Sequence, residues 1–119
     1  MKNLLWLQSG GCGGCTMSLI SAESPTLPET LQRCDIELLW HPALSVEQHK
    51  SLPEILESII GGQLALDILC VEGAILTAAQ GQYHRLAGTD KSFAQWIELI
   101  TPKAQHVLAI GSCSSFGSI

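Results

Sequence analysis

Short apolar runs of similar length, each stopped by glycine or proline, recur along the chain. Asn3-Leu4-Leu5-Trp6-Leu7-Gln8 ends ahead of Gly10-Gly11, and Asp35-Ile36-Glu37-Leu38-Leu39-Trp40 ends at His41-Pro42. Asp67-Ile68-Leu69-Cys70-Val71-Glu72 stops at Gly73, and His106-Val107-Leu108-Ala109-Ile110 stops at Gly111. Their length and their glycine stops predict four buried strands, over 3–8, 35–40, 67–72 and 106–110. Between them the spacing turns helical. Cys15 to about Ala22 can open a helix, which Pro25 and Pro28 then break. Ile55, Leu56, Ile59 and Ile60 make a helical stripe begun by Pro53-Glu54 and stopped by Gly61-Gly62. Ser92 reads as the N-cap of a helix that sets Phe93, Trp96, Ile97 and Ile100 on one face, with Pro102 ending it. Apolar strands alternating with helices predict a parallel sheet covered on both faces. The connection over 73–91 is long for a compact domain, and such loops tend to serve function or a partner.

Composition narrows the class. The chain has 119 residues, room for one domain, and it is 46% hydrophobic and only 14% charged. About 25% charged is usual for a soluble domain, so disorder is excluded and an apolar surface awaiting a cover is expected. No run approaches the roughly 20 apolar residues that a membrane span needs. A net charge of −5 with few aromatics makes nucleic acid or an anionic membrane a poor partner. The five cysteines are odd in number, and the Met1-Lys2-Asn3 opening carries neither a twin-arginine pair nor a small-residue cleavage site. Free or metal-bound thiols in the cytoplasm are therefore the expectation.

In an open parallel sheet, ligands bind beyond the carboxyl ends of the strands. Ser9-Gly10-Gly11-Cys12-Gly13-Gly14-Cys15-Thr16 follows the first strand, Glu72-Gly73-Ala74 closes the third, and Gly111-Ser112-Cys113-Ser114 follows the fourth. Cys12, Cys15, Cys113 and Glu72 thus converge on one edge. A lone C-x-x-C is open to three readings: a redox dithiol, half of a zinc site, or part of an iron–sulfur site. A third cysteine at an equivalent strand end is of no use to a dithiol catalyst, which puts iron–sulfur ligation ahead. Cys70, mid-strand between Leu69 and Val71, and Cys34 read as packing thiols remote from that edge. His41, His49, His84 and His106 form no ligand spacing and read as solvated or packing histidines. Glu72 is open between an exposed strand-end acid and a proton-handling group.

Three ordered blocks carry a resemblance. Leu5-Trp6-Leu7-Gln8-Ser9-Gly10-Gly11-Cys12-Gly13-Gly14-Cys15-Thr16, then Cys70-Val71-Glu72-Gly73-Ala74-Ile75, then Ala109-Ile110-Gly111-Ser112-Cys113-Ser114-Ser115-Phe116-Gly117 resemble the small subunit of nickel–iron hydrogenases. The form of the first block, with Leu39-Trp40-His41-Pro42, is most similar to the leaderless cytoplasmic branch, which includes hydrogen-sensing enzymes. The resemblance implies an α/β, flavodoxin-like open parallel sheet holding the proximal [4Fe–4S] cluster, with Cys12, Cys15 and Cys113 as three of its four ligands. It implies Glu72 as a proton-relay group beside that cluster and the nickel–iron centre in a separate large subunit. The chain would then pair with that large subunit and relay electrons to an outside acceptor. The family's fourth ligand falls beyond Ile119 and its second, multi-cluster domain has no counterpart here, so residues 1–119 read as a single incomplete domain, a fragment or a truncated product. The quinone-reductase subunit of respiratory complex I is the related alternative, although it resembles an adjacent Cys-Cys pattern. A non-catalytic remnant serving only as an interaction module is the other.

Overall fold

The computed structural model describes residues 1–8, 14–41, 52–73, 91–111 and 114. Among the described residues, four parallel strands form one sheet: β1 (Lys2–Gln8), β2 (Ile36–Trp40), β3 (Leu66–Glu72) and β4 (Ala104–Ile110), in the order β2-β1-β3-β4. This is the open α/β sheet that the alternating pattern predicts. β1 and β3 are the inner strands, and Leu4–Leu7 and Leu69–Glu72 along them are buried. Pairing Trp6 with Cys70 and Gln8 with Glu72 aligns the carboxyl ends of these two strands. β4 pairs with β3 from Leu66↔Ala104 to Glu72↔Ile110, which brings its end to the same edge.

Period-two alternation sends the strand residues to two different layers. Leu5, Leu7, Leu69 and Val71 face α3 (Leu52–Ile60) and α4 (Phe93–Ile100), packing with Ile55, Leu56, Ile59, Phe93, Trp96 and Ile100 into the larger core. The α4 start is closed by a full capping box, Ser92 Oγ accepting from Gln95 N at 3.2 Å and Gln95 Oε1 accepting from Ser92 N at 2.8 Å. Leu4, Trp6 and Cys70 face the other way, toward α1 (Gly14–Ile20) and α2 (Leu27–Arg33), with Leu19, Leu31 and Ile110 packed around them. That second layer is thinner. Val107 and Leu108 on β4 remain about half exposed, at 49% and 48%, and Met17 on α1 is 68% exposed.

Three features depart from the sequence reading. The strand expected to be buried over 106–110 is exposed, with 105–109 of β4 open on the described surface. Pro28 does not break a helix; it lies in the first turn of α2, where its missing N–H costs nothing, and Thr26 caps that helix by accepting from Glu29 N at 3.3 Å. In addition, the β1–β2 register shifts after Leu4↔Leu38, so that Leu5 lies opposite Trp40 and Leu39 is the extra residue. Both Leu39 and Trp40 pack against the larger core as a result. Such a bulge re-aims the side chains that follow it.

Candidate functional site

The carboxyl edge of the sheet carries the chemistry. Glu72, the last residue of β3, is 4% exposed, so it is a buried carboxylate and not an exposed strand-end acid. Three donors from two elements reach it. Trp6 Nε1–H donates to Oε1 at 3.3 Å, and Gln8 Nε2–H donates to Oε2 at 3.4 Å, both from β1. The Thr16 hydroxyl, in the first turn of α1 and itself buried, donates to Oε1. These donors are uncharged and two of them are long, so the carboxylate is held by dipoles and by the Thr16 contact. Leaving a buried carboxylate without such partners would cost several kcal/mol (about 1–3 for each lost hydrogen bond).

Thr16 ties this acid to the candidate ligand loop, because the preceding residue is Cys15. Cys15 is exposed at the edge and is a free thiol. Its Sγ lies directly against the backbone of Gly111, so closely that a Cβ at Gly111 would collide with it. Gly111 also has φ +81°, a conformation that side-chain-bearing residues rarely adopt. The glycine after β4 thus brings the β4 exit onto the Cys15 thiol, two positions before Cys113. Cys12 and Cys113 themselves lie outside the described residues, as does most of the long connection over 73–91.

The other cysteines separate from one another. Cys34 caps the end of α2 next to the amino edge of the sheet and is exposed, away from Cys15. Cys70 is not remote. It lines a cavity of about 640 Å³ beneath α1 together with Cys15, Trp6, Leu19, Leu108 and Ile110. Burial pushes its thiol up to about 11, so it stays neutral and packs as a small apolar group. The sequence placed Cys70 correctly as a packing residue, but it lies two residues before Glu72 on the same face of β3, beside Trp6, which carries it under the site. His41 is fully buried, its ring centroid 5.0 Å from that of Trp6 and tilted by 50°. Burial pulls the imidazole below the usual histidine range, while the Glu72 carboxylate pulls it the other way. A strand ending His-Pro gives no sign of this, because the contact is with Trp6 on the neighbouring strand and not with a residue nearby in sequence.

A set of thiols at the open edge, with a glycine that lets the backbone approach one of them, is chemically suited to thiolate ligation of iron. Cys15 is the member of the predicted ligand set that the described residues contain.

Known proteins resemble this chain along nearly all of its length. The family model described as NADH ubiquinone oxidoreductase, 20 Kd subunit, matches residues 12–119. The small subunit of the periplasmic [NiFeSe] hydrogenase of Desulfomicrobium baculatum is 31% identical, over 98% of this chain and 39% of its own. The hydrogenase-2 small chain of Escherichia coli K12 is 30% identical, over 98% of this chain and 30% of its own. In three dimensions, the recombinant [NiFeSe] hydrogenase of Desulfovibrio vulgaris Hildenborough superposes with a TM-score of 0.80 and 26% identity, over 99% of this chain and 42% of that one. The chain therefore spans well under half the length of these relatives. With a shared open parallel sheet and a model match that begins at Cys12 and runs to Ile119, the chain belongs to the NADH ubiquinone oxidoreductase 20 Kd subunit family, alongside hydrogenase small subunits.

Proposed function

We propose that this chain is the cluster-proximal part of a hydrogenase small subunit, relaying electrons released by dihydrogen oxidation at a nickel–iron centre in a separate large subunit. The observation that carries the reading is the contact between Cys15 Sγ and the Gly111 backbone, which joins the loop after β1 to the exit of β4. Relatives named as hydrogenase small subunits over 98% of the chain support it. Cys12, Cys15 and Cys113 would hold a [4Fe–4S] cluster, with a fourth ligand from outside this sequence. When bound, the cluster supplies single-electron capacity at a potential set by its ligands and the hydrogen bonds to its sulfurs.

The chain's own residues do the rest. Gly111 keeps open the space that the Cys15 thiolate needs. Leu4, Trp6 and Cys70 line an apolar groove beside that thiolate. Glu72 holds or releases a proton at Oε1, where Thr16 meets it, and a hydroxyl that can both donate and accept can pass that proton on toward the edge. Electron and proton handling thus lie one residue apart, at Cys15 and Thr16.

The test is Cys15→Ala in the intact complex with its large subunit, purified anaerobically. Hydrogen-dependent dye reduction is expected to be lost while the large subunit retains its nickel and iron. Undiminished dye reduction would overturn the reading.

A further inference from the structure

α3 and α4 hold to the sheet through apolar stripes, burying Ile55, Leu56 and Ile59 on one and Phe93, Trp96 and Ile100 on the other. α1 is attached differently. Of its seven residues the buried one is Thr16, and Leu19 is half-buried over Leu4, Trp6 and Cys70. The side chain that α1 turns inward near its start is therefore a hydroxyl, and it donates to Glu72 Oε1. The acceptor is fixed in its turn, since Trp6 Nε1–H donates to the same oxygen at 3.3 Å and Gln8 Nε2–H donates to Oε2 at 3.4 Å. Both donors belong to β1, and Gln8 lies opposite Glu72 in the β1–β3 ladder. Glu72 thus joins the two inner strands to the first turn of the helix that carries Cys15.

We propose that Thr16 is a positioning residue for Cys15: its hydroxyl, moored on Glu72, fixes the rotation of α1 that sets the Cys15 thiol against Gly111. Successive residues of a helix point about 100° apart, so holding Thr16 toward the sheet turns Cys15 out along the edge, toward the exit of β4. There its Sγ meets the Gly111 backbone. The tolerance is narrow. A side-chain tip lies about 5–6 Å from the helix axis, so a rotation of only about 5° moves Sγ by roughly 0.5 Å, the margin within which a ligand set works. Apolar burial sets rotation loosely because it is non-directional, whereas a hydrogen bond has a preferred distance and angle. Valine at position 16 would have the shape of threonine without that restraint. Glu72 need not gain or lose a proton for this, since a carboxylate and a neutral carboxamide both accept. The inference rests on the cluster reading only for the use to which the thiol is put; the mooring belongs to the iron-free chain.

NMR on the full chain, purified without iron, tests the mooring apart from the cluster. A cross-peak between the Cys15 Hβ and Gly111 Hα protons is expected in the unmodified chain. It should be kept in Thr16→Ser, which retains the hydroxyl, and lost in Thr16→Val, which retains the shape. Alkylation followed residue by residue should agree. Cys15 is expected to react roughly two- to tenfold faster in Thr16→Val, the range open to one lost hydrogen bond, while the exposed Cys34 keeps its rate. A purely structural role for Thr16 would lower the urea midpoint and leave the cross-peak in place, and that result would overturn the proposal. A cross-peak lost equally in Thr16→Ser would overturn it as well. Should Thr16→Val not fold, Thr16→Ala decides by the same signal, because alanine is the better helix former and would by propensity alone steady α1. Loss of the cross-peak there upholds the mooring, and its survival overturns it. Undiminished dye reduction in Cys15→Ala would strike the cluster reading and leave all of these results untouched.

Discussion

Replacing Glu72 separates the acid's charge from its role as an acceptor. Its Oε1 accepts from two buried donors, Trp6 Nε1 and Thr16 Oγ1, while Oε2 accepts from the partly buried Gln8 amide. Glu72→Gln keeps one carbonyl oxygen, and turning it to the Oε1 position preserves both buried bonds. The new amide then faces the Gln8 amide, donor against donor, but Gln8 is half-buried and can turn toward water. The cost is therefore one semi-exposed hydrogen bond, about 0.5–1.5 kcal/mol, partly offset by removing a buried charge. Glu72→Leu leaves Trp6 and Thr16 both without an acceptor in a site at most 5% exposed. At about 1–2 kcal/mol for each orphaned donor, that variant should lose about 2–4 kcal/mol, even though Leu is the more apolar residue. Urea unfolding followed by circular dichroism checks the contrast, the midpoint falling further for Leu than for Gln at an unchanged slope. A Leu variant as stable as the Gln variant would show that the three contacts do not hold Glu72, and the description of the acid would be wrong.

Gly111→Ala should cost about 1–3 kcal/mol and push the Cys15 thiol away, because φ is +81° and the new Cβ has Sγ in its path; faster reaction of Cys15 with a thiol reagent would register the displacement. His41 makes the chain less stable in acid. Its folded pKa is lowered from 6.5 by burial, so the unfolded chain takes up the proton first; its contribution is fully present above pH 6.5 and is lost as pH falls below that value. His41→Gln should flatten the decline of unfolding free energy on the acid side, and an identical slope in the two proteins would contradict the burial.

How much of this was legible depended on punctuation. β1, β3 and β4 stood out because each is a run of apolar residues closed by glycine. The pattern meant burial for the inner strands β1 and β3 but not for β4, which has a neighbouring strand on one side only among the described residues. The α4 cap was equally plain, since Ser92 and Gln95 are at capping-box spacing. α2 was hidden because Pro25 and Pro28 were both read as breakers, although a proline in the first helical turn is a starter and Thr26-Pro28-Glu29 carried that signal. At the site, placing Cys15 and Glu72 on one edge required only that strands end together in a parallel sheet. What the sequence could not convey was long-range: the register shift at Leu39, the packing of His41 on Trp6, and the depth at which Trp6, Gln8 and Thr16 surround Glu72. Such features depend on which strand lies beside which and in what register. No local residue pattern encodes them.

The carboxyl edge around Cys15 is the proposed iron–sulfur site. Iron and acid-labile sulfide, measured in anaerobically reconstituted protein for the unmodified chain, Cys15→Ser and Cys34→Ser, test it most directly. Cys34 is the matched control, an exposed thiol at the opposite edge of the sheet. Iron together with acid-labile sulfide is expected in the unmodified chain and, to the same extent, in Cys34→Ser, with a marked loss of both in Cys15→Ser. Equal retention in all three proteins, or the same loss in Cys34→Ser as in Cys15→Ser, would contradict it.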